Sequence, residues 1–119
     1  MRKRLTFIIL ILLCVAPLGG QTAHGITVGI SETNNADLAT GFNIYRSTVS
    51  GSGYVKLNPV PLPATTTSYL DPISGLTGGT TYFYVATSVD SLGIESKFSK
   101  EASAVAPGSN PPVVTATPQ

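Results

Sequence analysis

Leu76-Thr77-Gly78-Gly79-Thr80-Thr81-Tyr82-Phe83-Tyr84-Val85-Ala86-Thr87-Ser88-Val89-Asp90-Ser91-Leu92-Gly93 decides the fold of this 119-residue chain. A glycine-rich lead runs directly into a block of Thr, Tyr, Phe and Val, and the block stops at Asp90-Ser91-Leu92-Gly93, a hairpin signal. β-Branched and aromatic residues bounded by turn formers predict a central strand, buried on at least one face.

Short strands with turns between them recur on both sides of this block, which favours a sandwich over βαβ units. Upstream, Gly25–Ile30 alternates Ile26, Val28 and Ile30 with small residues, and a polar loop follows from Ser31 to Thr40. Gly41–Ser47 predicts a second strand with Phe42 and Ile44 on one face and Asn43 and Tyr45 on the other. Gly51-Ser52-Gly53 turns the chain into a short strand, Tyr54–Leu57, ended by Asn58-Pro59. Pro59, Pro61 and Pro63 keep the next segment out of any central strand. Thr66–Asp71 is a further strand closed by Pro72. Downstream, Ile94–Val105 is expected to pair back onto the Tyr82 strand across the Asp90–Gly93 turn.

The amino terminus has a different character. Arg2-Lys3-Arg4 precedes the apolar run Leu5–Ala16, and Pro17 and Gly19-Gly20 follow it. A basic start, about a dozen apolar residues and a small-residue exit have the form of a secretory signal peptide, whereas a spanning helix needs roughly 20 apolar residues. Residues 1–23 are therefore read as a signal peptide cleaved near Ala23, with cleavage after Gly20 as the competing site and an uncleaved anchor as the alternative. Leu13 is too bulky to precede a lipidated Cys14. The domain proper is placed at 24–106, and a Pro-rich linker and tail at 107–119, where Val113–Thr117 has the composition of a short strand.

Once the signal is set aside, four basic residues face six acidic ones, a net charge of −2. No basic patch remains for a phosphate backbone, so nucleic acid is not an expected partner. The single cysteine belongs to the signal, and a domain of about 80 residues without disulfides lies near the size at which cores become marginal. His24, the only histidine, stands at the start of the domain, where nothing orients it for catalysis. Glu32, Asp37, Asp71, Asp90 and Glu95 are scattered singly, with no calcium-loop spacing, and Asp37 and Asp90 read as turn residues. Gly51, Gly53, Gly78 and Gly79 are hairpin glycines, since no helix follows them to make a phosphate site. The inventory offers no catalytic residues, no metal ligands and no cofactor site, so an enzyme is not expected.

The blocks GFNIYRS (Gly41–Ser47), SGSGYVKLN (Ser50–Asn58), TSYLD (Thr67–Asp71), GGTTYFYVATSVDSLGIES (Gly78–Ser96) and EASAVAP (Glu101–Pro107) resemble, in order and spacing, a fibronectin type III domain of the bacterial secreted kind. The resemblance implies an all-β, immunoglobulin-like two-sheet sandwich following the signal peptide. It makes Tyr82 the corner tyrosine, its hydroxyl bonded to backbone a few residues upstream and Leu76 packed beneath the turn. The tryptophan usual in the second strand falls on Ile30, and the inward positions after Tyr84 are Ala86 and Ser88, smaller than the family's habit. Such large-to-small differences imply a thinner core, each costing about 1–3 kcal/mol unless neighbours repack. Cleavage near Ala23 leaves no room for the family's first strand, strand A, so an open sheet edge is expected. Val113–Thr117 of a neighbouring molecule is one way to fill it, and a misplaced start or a gene fragment is the bland alternative. The loop that carries the integrin tripeptide in some animal relatives reads Asp90-Ser91-Leu92-Gly93, so that activity does not carry over.

The expected function is that of a secreted or cell-surface, non-catalytic spacer or protein-interaction module, and the resemblance implies an association with adhesion or with carbohydrate-active enzymes. Its partner would be a protein or polysaccharide at the cell surface, and it would meet the membrane only through an uncleaved signal. Tyr45, Phe83, Val85 and Val89 are expected to form an outward stripe, with Tyr45 and Phe83 as stacking platforms in an alternative polysaccharide-binding role. A third reading is an incomplete domain completed by a partner's strand.

Overall fold

The computed structural model describes residues 6–13, 25–34 and 39–108, with side chains for 25–30 and 39–108. Among the described residues eight strands lie in chain order: β1 (Thr6–Leu13), β2 (Gly25–Asn34), β3 (Gly41–Ser47), β4 (Val55–Lys56), β5 (Leu62–Pro63), β6 (Ser68–Pro72), β7 (Thr81–Val89) and β8 (Ala102–Val105). One sheet has the order β1-β2-β6; the other runs β4-β3-β7-β8, with β5 also paired to β3. All described pairings are antiparallel. The result is the sandwich that the strand pattern predicts, in the two-sheet, immunoglobulin-like form that the resemblance implies.

Alternation builds the core. Ile26, Val28 and Ile30 of β2 face Phe42 and Ile44 of β3 and Tyr82, Tyr84 and Ala86 of β7, all buried in one cluster. Leu57, Leu62, Tyr69, Leu76, Ala102 and Ala104 close its margins. The thin places fall at the small residues: Ala86 and Ser88 are fully buried, and the Ser88 hydroxyl has no hydrogen-bond partner. The corner also forms as the resemblance implies, with the Thr77 N–H donating to the Tyr82 hydroxyl at 2.8 Å and Leu76 packed on the core.

A polar clamp joins the two sheets through this core. Asp71, on β6, is only 2 % exposed. The Tyr84 hydroxyl of β7 donates to its Oδ2 at 2.5 Å, and Arg46 Nη1 of β3 donates to Oδ1 at 2.8 Å and Oδ2 at 3.0 Å. The Arg46 guanidinium also lies over the Tyr82 ring, 5.3 Å from its centre. Burial, then the Asp71 carboxylate, push the Tyr84 phenol well above its ordinary pKa, so it stays a donor. Gly25 is required beside this clamp: it has φ +148°, and a Cβ there would lie 2.1 Å from the Asp71 carbonyl oxygen.

Several irregular stretches are held by side chains. Between the short strands β4 and β5 the chain leaves the flank of β3, and buried Asn58 fills the gap. Its Oδ1 accepts from the Ile44 N–H at 2.7 Å, and its Nδ2 reaches the Phe42 carbonyl at 3.1 Å. Pro63 sits on an edge, consistent with a residue that has no N–H for a ladder. At the β7 hairpin, Asp90 Oδ1 accepts from the Leu92 and Ile94 amides while Gly93 takes φ +80°, confirming Asp90 as a turn residue.

Three expectations need correction. While Thr6–Leu13 is present the edge of β2 is not open: this apolar run, read as the core of a signal, pairs with it over eight positions, in the place of the strand expected to be missing. Periodicity alone cannot separate a short apolar run that is a strand from one that is not. Secondly, β2 extends to Asn34, past the expected start of the polar loop at Ser31. Thirdly, Ile94–Val105 is not one strand. Regular pairing is confined to Ala102–Val105, with an isolated Val89–Glu95 bridge before it. In between, Ser96 Oγ and Ser99 Oγ accept from the Ser88 and Ala86 amides, where a ladder carbonyl would otherwise stand. The cleavage site near Ala23, Cys14, His24, Asp37 and the tail beyond Gly108 lie outside the described residues.

Removing the Asp71 carboxylate strands Arg46 and Tyr84 without their acceptor. Asp71→Ala should cost about 3–5 kcal/mol in urea unfolding. Tyr82→Phe, which deletes only the corner hydroxyl, should cost about 0.5–1.5 kcal/mol in the same assay.

Candidate functional site: an aromatic and carboxylate groove on the outer sheet face

The outer face of β3 and β7 carries Asn43, Tyr45 and Thr87, brought side by side by the pairs Asn43–Thr87 and Tyr45–Val85. The Val89–Glu95 bridge returns the chain beside β7, and Glu95 reaches over this face. Its Oε1 accepts from Asn43 Nδ2 at 3.0 Å, from Thr87 Oγ1 at 2.6 Å and from the Tyr45 hydroxyl. Three residues further on, Phe98 sets its ring edge-on between Tyr45 and Tyr54, with centroids 5.1 and 5.2 Å away. Such T-shaped contacts are favoured by the aromatic quadrupole. Tyr45, Thr87, Glu95, Ser96, Lys97 and Phe98 line an open groove of about 460 Å³.

A second carboxylate closes the adjoining hairpin. Glu101 accepts from Ser50 Oγ at 2.5 Å, from the Gly51 N–H at 2.8 Å and from the Tyr54 hydroxyl. The two acids thus bracket the Tyr45–Phe98–Tyr54 row. Burial alone would raise Glu95, but the donors Thr87, Tyr45 and Asn43, with Lys56 nearby, outweigh it and hold the carboxyl below its ordinary value. Glu101 is lowered by its bonds from Ser50, Tyr54 and Gly51. In turn, Tyr45 is pushed up to about 12, by burial first and then by Glu95. Ionised acceptors beside neutral phenols are equipped for hydrogen bonding and stacking; a carboxyl held ionised is a poor proton donor.

Of the two residues singled out from the sequence, Tyr45 belongs to this groove and Phe83 does not. Phe83 lies on the same face but opposite Ser47 and Ser103, and no ring contact involves it among the described residues. The expected open stripe is also corrected: Val85 is 2 % and Val89 5 % exposed, so this face is covered there. Phe98, half exposed, supplies the accessible aromatic surface. Its signal in the sequence was an aromatic residue in Lys97-Phe98-Ser99-Lys100, a charged and polar setting for an expected strand. Among the described residues no group of three or more His, Cys, Asp or Glu side chains is placed to hold a metal ion, and no helix is long and apolar enough to cross a membrane.

The corner tyrosine, the sheet order and the inter-sheet core define an immunoglobulin-like β-sandwich. Its likeness to solved structures narrows this further. An Fn3-like protein from Clostridium thermocellum superposes with a TM-score of 0.55 at 28 % identity, covering 83 % of each chain. The domain is therefore of the fibronectin type III type. Pectate lyase PelI from Erwinia chrysanthemi, in complex with tetragalacturonic acid, matches at TM-score 0.58 and 15 % identity over 82 % of this chain and 28 % of its own, a likeness of fold. No family model matches the sequence. Two amylopullulanases share 41 % identity with it, over 67 residues in the Thermoanaerobacterium thermosulfurigenes protein and 66 in that of Thermoanaerobacterium saccharolyticum. Each match takes in 56 % of this chain but spans only 3 % and 5 % of those proteins.

Folding holds Glu95 and Glu101 below their ordinary pKa, so in mild acid the native state binds fewer protons than the unfolded chain. Their contribution is complete above the ordinary glutamate range and is lost as pH falls through it to the lowered folded values. The drop in melting temperature between neutral pH and about pH 3 should be smaller in a Glu95→Gln/Glu101→Gln variant than in the wild type.

Proposed function

We propose that the chain is a non-catalytic, extracellular module that spaces or docks the components of a carbohydrate-degrading system. The observation that carries this is the 41 % identity to a short segment of two amylopullulanases, a match to a small part of a large enzyme. The fibronectin type III fold agrees with an accessory role. The basic start Arg2–Arg4 and the apolar run after it support export. The partner is then a protein or a polysaccharide outside the cell.

A polysaccharide-binding role is favoured by one feature, the groove itself. A half-exposed Phe98 beside the anchored Glu95 carboxylate combines an apolar face with a hydrogen-bond acceptor, the pairing that a sugar ring needs.

Native electrophoresis through gels containing amylopectin or pullulan separates the two roles. A spacer migrates as it does without polysaccharide. Retardation that disappears in Tyr45→Ala and Phe98→Ala replaces the spacer reading with the binding one. Release of reducing sugar from either polysaccharide by the purified chain would overturn the non-catalytic reading, and an uncleaved protein confined to the cytoplasm would overturn the extracellular one.

A further inference from the structure

Strand β2 pairs with β6 on one side and with β1 on the other. The Ile30 N–H donates to the Thr67 carbonyl beside β6 at 2.8 Å. Backbone groups alternate in direction along a strand, so those of Ile26 and Val28 also point to β6, and those of Thr27, Gly29 and Ser31 point to β1. Ile26, Val28 and Ile30, 0 %, 0 % and 7 % exposed, belong to the core. Taking β1 away would leave a row of unpaired amides and carbonyls beside the apolar core, an edge that templates pairing.

The sequence of β1 also has the form of the apolar stretch of an export signal, preceded by Arg2-Lys3-Arg4 and followed by Pro17 and Gly19-Gly20. A segment removed on export cannot also serve as the domain's edge strand. We propose that the outer edge of β2 is a strand-acceptor site, filled by Thr6–Leu13 in the unprocessed chain and by Val113–Thr117 of a second copy after processing. The proposal rests on the export reading.

Topology selects a second copy over the chain's own tail. β8 runs antiparallel to β7 and ends where β7 begins, with Val105 opposite Thr81. The Gly108 Cα lies 3.0 Å from where a Gly78 Cβ would stand. Gly25, the first residue of β2, sits at this same end, opposite Pro72. A tail turning back along its own β2 would therefore run parallel to it, reversing the direction of β1. A tail from another molecule is free to enter antiparallel, as β1 does. Pro107-Gly108-Ser109-Asn110-Pro111-Pro112 has the composition of a spacer suited to carrying a strand outward, and Val113-Val114-Thr115-Ala116-Thr117 has the composition of a segment that adds to an edge.

The test compares the protein secreted by an exporting host with the full chain made in the cytoplasm, using size-exclusion chromatography with light scattering. The secreted form should be a dimer or larger and the full chain a monomer. Thr27→Pro removes one outward amide and leaves the β2–β6 ladder whole. Thr115→Pro changes a residue beyond the last strand, β8, and removes an amide from the donor segment. Each should weaken self-association by about tenfold or more, the equivalent of one or two hydrogen bonds. A processed protein that is monomeric, whether folded or unfolded, overturns the proposal, as does an oligomer indifferent to Thr115→Pro. Mass spectrometry of the secreted amino terminus separates the two failures: an intact Met1 removes the export reading, and a processed monomer removes the acceptor site alone.

Discussion

The sandwich depends on one buried carboxylate. Asp71 belongs to the β1-β2-β6 sheet, and its acceptor oxygens are taken by Tyr84 and Arg46 of the other sheet. A sliding or rotation of one sheet over the other would leave a desolvated charge without partners. The clamp therefore constrains registration more than it adds net stability, because the Coulombic gain of a buried pair is largely offset by desolvation. The constraint matters here because the rest of the core is weakly specifying. There is no tryptophan in the chain, the interior of β7 tapers to Ala86 and Ser88, and a domain of this size has little surface to bury. The Tyr82 corner completes the arrangement by fixing the turn into β7, and Arg46 stacks on that same ring.

Where local and tertiary preferences agree, the sequence was readable. β3 spans Gly41–Ser47 as its alternation predicts, and the Tyr82 strand and its Asp90–Gly93 turn stand where the β-branched run and turn residues put them. Elements that depend on distant partners were not readable. Thr6–Leu13 has an apolar composition compatible with both a strand and an export signal, and only its pairing with β2 gives it a place in the sheet. Ile94–Glu101 was expected to continue as a strand after the hairpin, yet Ser96 and Ser99 take the acceptor role of a ladder with their side chains. Arg46 and Asp71 are 25 residues apart, and no spacing rule joins them.

The candidate site was legible only in part, for the same reason. Tyr45 could be placed on the outer face by period-2 alternation, but Phe98 and Glu95 reach that face through an irregular segment with no period. Phe83 obeyed the alternation and still missed the groove, since its register sets it opposite Ser47. Here the packing constraints lie in the core, and the groove is built on an irregular segment beside the sheet. That division agrees with the accessory role proposed above, in which the sandwich would carry a small aromatic and acidic surface for a partner.

A double-mutant cycle on Arg46→Met and Asp71→Ala, followed by urea unfolding, tests the clamp most directly. Each single change leaves its partner uncompensated, so the double variant should lose less stability than the sum of the two, with a coupling of about 1–3 kcal/mol. Strict additivity would mean that the two side chains act independently, and would contradict the account of how the sheets are held in register.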